Sequence, residues 1–162
     1  MELDRSRDLK ELKRQIKERL VEGQKVAVVG VGAELRRDDF VGVRAAEEIN
    51  KLSHPLLKGF AGYTAPENIT GEIANFAPAL VVFVDAAELG LAAGMARLID
   101  RHEMEGVSFS THTLPLKLIM DYLQQTIGCE LLVLGVQPKD TSFGTGLSPE
   151  LEEFTNVFRT LY

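Results

Sequence analysis

Four side chains able to hold a divalent ion or move a proton stand where the sequence around them changes character. Asp38 and Asp39 follow the apolar run 25–31 (KVAVVGV) and its glycine loop, and Asp85 closes the run 79–84 (ALVVFV). His112 lies in the polar cluster Ser110-Thr111-His112-Thr113, just ahead of Leu114-Pro115. Each has a plainer reading on its own. Asp39 suits the cap of a following helix, an aspartate ending a buried strand is often a loop-facing acceptor, and a lone histidine near a helix start is more often a satisfied polar residue. Taken together they ask for more. Two carboxylates and an imidazole at one place repel one another or go unpaired unless a cation or a proton compensates them.

The elements between them must therefore bring them to one place. The runs 25–31, 79–84 and 130–136 (ELLVLGV) are short, β-branched and continuous, as in strands buried on both faces. Residues 56–61 form a weaker strand, and the alternation over 95–99 reads as an edge strand with one wet face. Helical spacing sets Leu9, Leu12, Ile16 and Leu20 on an N-terminal amphipathic helix over 1–22, with Gly23 closing it. A helix is expected over about 39–52, a short one after Pro66, and another over 115–127. Ser148, Pro149 and Glu150 read as cap, first-turn proline and dipole-compensating acid of a last helix. Strands alternating with helices imply a parallel sheet covered on both faces, within one domain over 1–162. In such a sheet, sites collect beyond the carboxyl ends of the strands, where strand order reverses.

Other chemistries lack their devices. Gly30-Val31-Gly32 follows a strand, but Leu35 occupies the place of the third glycine of a dinucleotide fingerprint, and no Walker-type lysine follows. There is no G-x-S-x-G elbow and no H-E-x-x-H pair. Cys129, the only cysteine, reads as a small core residue, and His54 and His102 as surface loop residues.

Composition agrees with a soluble α/β domain. Of 162 residues, 45% are hydrophobic and 26% charged, and the net charge is −6 from 18 basic and 24 acidic side chains. Nucleic-acid binding, which needs dense Lys and Arg, is disfavoured. No apolar run is long enough to span a bilayer, and one cysteine suits a reducing compartment, so a cytoplasmic protein is expected.

Five segments in order carry a resemblance. Val28-Val29-Gly30-Val31-Gly32 runs through to Arg37-Asp38-Asp39-Phe40-Val41-Gly42-Val43. Ala65-Pro66-Glu67-Asn68, Val84-Asp85-Ala86, Ser110-Thr111-His112-Thr113-Leu114-Pro115-Leu116 and Leu134-Gly135-Val136-Gln137-Pro138 follow. This series resembles the nickel-iron hydrogenase maturation endopeptidases, in particular the branch serving hydrogenases of the formate-hydrogenlyase type. The resemblance runs from about residue 25 to the C-terminus and leaves out the N-terminal helix. It implies a phosphorylase/hydrolase-like, three-layer α/β/α domain with a five-stranded, mostly parallel sheet and one antiparallel edge strand. It also implies an endopeptidase that removes the C-terminal extension of a hydrogenase large-subunit precursor once nickel has been inserted. On this resemblance Asp39, Asp85 and His112 are the metal-contacting and catalytic positions, and Asp38, Gly62, Thr111 and Thr113 the substrate contacts. Nickel would arrive with the substrate, and other divalent ions would enter the same site in vitro. Selectivity would then rest with the precursor, since this donor set does not separate nickel from zinc.

The sequence also departs from the family pattern. Ala33 stands where asparagine is usual, Phe40 where glycine commonly follows the acidic pair, and Ala61 where an aspartate precedes the mid-chain glycine. Arg36, Arg37, Tyr63 and Phe143 could meet the precursor, with solvated loop positions the plainer reading for all four. Two other functions fit some of these features: a non-catalytic nickel checkpoint for the precursor, and a small nucleotide-binding domain. The attacking nucleophile stays open, a metal-held water being the simplest choice.

Overall fold

A computed structural model describes residues 2–109 and 116–161. The runs 25–31, 79–84 and 130–136 form the centre of the sheet. They are β1 (Val26–Val31), β3 (Leu80–Glu88) and β6 (Glu130–Val136), and β2 (Leu57–Tyr63) and β4 (Ala96–Leu98) lie outside them. The order is β2-β1-β3-β6-β4. All neighbours run parallel except β4, which pairs antiparallel with β6. The expected five-stranded, mostly parallel sheet with one antiparallel edge is thus present, and it carries an addition. A short β5 (Ser108–Phe109) pairs antiparallel with the far end of β3, through Ala87↔Phe109 and Glu88↔Ser108.

That addition corrects one expectation. Asp85 does not end its strand. β3 runs three residues further, because β5 supplies partners for Ala87 and Glu88 after pairing with β1 has stopped at Gly30↔Val84.

Strand alternation separates two apolar layers. Leu80, Val82, Val84 and Ala86 face α1 (Glu2–Val21), α2 (Val41–Asn50) and α5 (Pro149–Thr155), whose Leu12, Ile16, Val41, Ile49, Leu151 and Phe154 are buried there. Val81 and Phe83 face α3 (Thr70–Phe76) and α4 (Leu116–Ile127), through Ile73, Ile119, Met120 and Leu123. Helices thus cover both faces. Cys129 is buried in the second layer, and burial pushes its thiol pKa up, as suits a packing residue.

Each edge strand is met at one point by a side chain. At β4, the Leu98 N–H donates to the Asp8 carboxylate of α1 (2.9 Å). At β2, Asn50 brackets Gly59: its amide donates to the Gly59 carbonyl (3.0 Å) and its oxygen accepts from the Gly59 N–H (2.8 Å). Edge groups met this way are withheld from other strands. Among the described residues no helix is long and apolar enough to cross a membrane.

Candidate active site

From β1 the chain passes through α2 to β2 on one side, while β3 and β6 lie on the other, so strand order reverses between β1 and β3. Glycine sets the geometry at this point. A Cβ on Gly42, in the first turn of α2, would be driven into the carbonyl oxygens of Val84 and Val31. One on Gly32 would be driven into the carbonyl oxygen of Asp39. A Cβ on Gly30 would likewise be driven into the Gly42 carbonyl, so the Gly-x-Gly lets α2 and the turn before it settle directly on the strand ends, which accounts for it without a dinucleotide.

That turn is a 3₁₀ turn, Arg37–Phe40, packed against β3, and α2 begins only at Val41. Asp39 therefore lies ahead of the expected helix and does not cap it: no side-chain cap bond is made at the start of the turn or of α2. Asp39 is 3% exposed. Its Oδ2 accepts the Ala33 N–H (2.8 Å), while Oδ1 is buried without any hydrogen-bond partner. Because the backbone of Ala33 makes the contact, alanine in place of the usual asparagine leaves this bond intact.

Asp38 behaves in the opposite way. It is wholly buried, and its carboxylate accepts four hydrogen bonds. The N–H groups of Lys139 and Asp140 (both 2.9 Å) and the Ser148 hydroxyl (2.6 Å) reach Oδ2, and the Ser148 N–H (2.7 Å) reaches Oδ1. The expected substrate contact is therefore corrected: Asp38 has no exposed surface, and its acceptor capacity goes to fastening the loop 138–148. Ser148 is corrected with it, since its hydroxyl turns to Asp38 and makes no cap bond to α5.

Further bonds make one body of the two loops. Arg37 N–H donates to Gly144 O (3.1 Å), Gly144 N–H to Leu35 O (2.8 Å), and Arg36 Nε to Thr141 O (3.2 Å). Within the later loop, the hydroxyl and N–H of Ser142 hold the Asp140 carboxyl below the usual carboxylate range, with Arg37 adding a smaller pull.

The remaining expected residues fall as follows. Asp85 is 1% exposed and sits on the β3 face shared with Phe83, opposite Gly135 of β6. His112, Thr111 and Thr113 lie outside the described residues. Gly62 is buried, and a Cβ there would press on Pro66 Cβ (2.9 Å) and Gly30 O (3.1 Å). The close approach of Pro66 and Gly30 thus requires glycine at this position. Tyr63 and Phe143 are exposed, Phe143 by 80%. Arg36 is exposed, and the Arg37 guanidinium lies against Gly144. Among the described residues no three of His, Cys, Asp and Glu gather as a metal site, and the third member of the expected trio is not among them.

An open cleft of about 150 Å³ lies beside Asp39, walled by Arg36, Glu88, Ser108, Phe109 and Thr141. Glu88 was not anticipated. Its carboxylate accepts from Gln137 Nε2 (3.0 Å), and Gln137 Oε1 in turn accepts from Leu89 N–H (2.7 Å). Gln137 is buried directly after an apolar strand, and a polar residue in that place was the available signal.

A model of the HycI family of hydrogenase maturation proteases matches residues 43–157. The chain belongs to this family. Hydrogenase maturation proteases are peptidases, so this chain is a hydrolase of peptide bonds. The hydrogenase 3 maturation protease of Escherichia coli K12 is 33% identical over 133 residues, covering 82% of this chain and 83% of the relative. The crystal structure of the maturation protease HycI from Thermococcus kodakarensis superposes with a TM-score of 0.77 at 32% identity, covering 85% of this chain and 89% of that one. The maturating endopeptidase HybD of Escherichia coli, at 22% identity and a TM-score of 0.62, shares the fold. The match to the family model takes in Asp85 and starts just after Asp39, so the role of Asp39 is argued from its own geometry.

Proposed function

We propose that this hydrogenase maturation protease removes the C-terminal extension of a nickel-iron hydrogenase large-subunit precursor, and that Asp39, Asp85 and His112 engage the precursor's nickel. The observation that carries this reading is the Asp39 Oδ1 atom, buried and without a hydrogen-bond partner. A carboxylate in that condition is costly unless a cation or a proton meets it. Asp39 also borders an open cleft, the side from which a cation on another molecule would approach.

Asp85 adds a second buried acid at the end of the neighbouring strand, beyond the last pairing of β1 with β3. His112 is placed in the trio by sequence, and its described flanks suit that place. Phe109 pairs with Ala87, two residues beyond Asp85, and α4 starts at Leu116. Two carboxylates and an imidazole are acceptable donors to nickel, which enters as part of the substrate. Water polarised by that ion, with a carboxylate taking its proton, is the simplest nucleophile. A buried, uncompensated carboxylate in the first loop has the wrong sign for a nucleotide phosphate. The place of action we propose is the cytoplasm, with the single free thiol, Cys129, as support.

Nickel-loaded and nickel-free precursor, incubated with the protein and weighed by mass spectrometry, test the reading. Loss of the C-terminal segment from the nickel-loaded form alone is expected. A loaded precursor that binds and stays whole means a checkpoint protein, and equal cutting of both forms removes nickel from the recognition.

A further inference from the structure

We propose that Leu35 and Phe143 form an apolar knob that docks into a concave apolar socket on the folded body of the hydrogenase precursor. The inference rests on the endopeptidase reading above and gives that substrate a second point of contact. Neither residue lines the cleft beside Asp39.

The two residues come from separate loops that the fold joins side by side. Leu35 stands in the loop after β1 and Phe143 in the loop 138–148. The Gly144 N–H donates to the Leu35 carbonyl (2.8 Å), and Arg36 and Gly144 pair as a parallel bridge. Leu35 is 50% exposed and Phe143 80%. A single apolar side chain exposed on a loose loop is ordinary. The backbone around Phe143 is not loose. Before it, the N–H and hydroxyl of Ser142 donate to the Asp140 carboxylate, at 2.9 and 2.6 Å. After it, Gly144 uses its carbonyl as well as its N–H, accepting from the Arg37 N–H (3.1 Å). A Cβ on Gly144 would be driven into the Arg37 guanidinium, so the turn is also packed. The chain ties down both neighbours of Phe143 and leaves the ring outside.

A ring presented on a fixed backbone loses little freedom when a partner covers it. Under that condition single aromatic side chains dominate protein interfaces. Covering a protruding ring takes walls on several sides. A folded surface offers such a hollow and a short extended tail does not, so the partner is the body of the precursor and not the segment removed. The position of the knob supports the same occupant. Arg36, next to Leu35, and Thr141, two residues before Phe143, both wall the cleft that Asp39 borders, and they are joined by a hydrogen bond. A substrate seated in that cleft lies alongside the knob. Val21, at 78%, is as exposed as Phe143, but it ends α1 ahead of β1, at the opposite end of the sheet.

The test measures affinity apart from cutting. Nickel-free precursor, and in a second arm a synthetic peptide of the extension alone, are titrated against the protein by isothermal calorimetry. Phe143→Ser should weaken binding of the precursor by about thirtyfold and Leu35→Ser by about tenfold. Phe143→Leu should restore most of the loss, and Val21→Ser should change nothing. The extension peptide should not distinguish Phe143→Ser from wild type. On nickel-loaded precursor, Phe143→Ser should raise KM and leave kcat within about twofold, a split that a distorted loop does not give. Unchanged affinity of Phe143→Ser, an equal loss from Val21→Ser, a loss seen on the extension peptide, or a fall in kcat with KM unchanged overturns the inference and leaves the endopeptidase reading intact. Precursor that binds through the knob and is never cut, even when nickel-loaded, overturns the endopeptidase reading and leaves the docking surface standing.

Discussion

Ser148 gives both its backbone N–H and its hydroxyl to Asp38, at 2.7 and 2.6 Å, across more than a hundred residues of chain. This pair joins the first loop to the segment leading into α5, and it explains why one aspartate of an adjacent pair is fully engaged while the other, Asp39, keeps a buried oxygen without a partner. Asp38→Ala would leave four donors without their acceptor. A loss of about 3 kcal/mol is expected by chemical denaturation, and about 1 kcal/mol for Ser148→Ala, which removes one hydroxyl.

Asp39→Asn should show the opposite pattern. It replaces a buried, uncompensated charge by a neutral isostere that can still accept from Ala33 N–H. Thermal stability should hold or rise while processing of nickel-loaded precursor falls by about a hundredfold or more. A large drop in melting temperature would show that the carboxylate holds the loop together instead.

Gly42→Ala tests the close approach of α2 to the sheet. The added methyl meets the Val84 and Val31 backbone, which cannot swing aside as a side chain would. A loss of about 3 kcal/mol is expected. Any folded variant should process poorly, because the turn bearing Asp39 must shift with the helix.

Away from the site, Glu48 gives a pH prediction. Burial pushes its carboxyl up, but Lys51, Arg159 and Arg44 together outweigh that and hold it below the usual range. A lowered carboxyl contributes stability that is full above the unfolded value near pH 4.3 and is lost as pH falls through the folded value. Glu48→Gln should therefore cost about 1 to 2 kcal/mol at pH 7, allowing for the solvated ends of Lys51 and Arg159. The gap from wild type should narrow as pH falls below the unfolded value and close only once it has passed below the lowered folded one. A gap that stays constant down to pH 3 would mean that packing, not charge, is lost.

The central strands were legible because 25–31, 79–84 and 130–136 are unbroken apolar runs, and burial on both faces leaves few other ways to use them. Asp85 was legible as an acid directly after such a run, and Asp39 as one in the loop that follows another. The division of labour between Asp38 and Asp39 was not. It depends on donors from Lys139, Asp140 and Ser148, whose nearness is a product of the fold. Glu88 was hidden for a related reason: β3 outlasts its apolar run only because Ser108 and Phe109 come back to pair with it. A two-residue strand has no periodicity to read.

The two flank contacts, Asp8 with Leu98 and Asn50 with Gly59, bear on how a protease of this kind meets its target. An enzyme handling a precursor with an unprocessed tail risks zippering onto any extended chain that offers main-chain partners. Here the sheet's two margins are met by side chains of the same molecule at those points. At Leu98 and Gly59, then, the main chain of the edge strands is withheld from an added strand, which leaves those two points unable to pair with an extended tail.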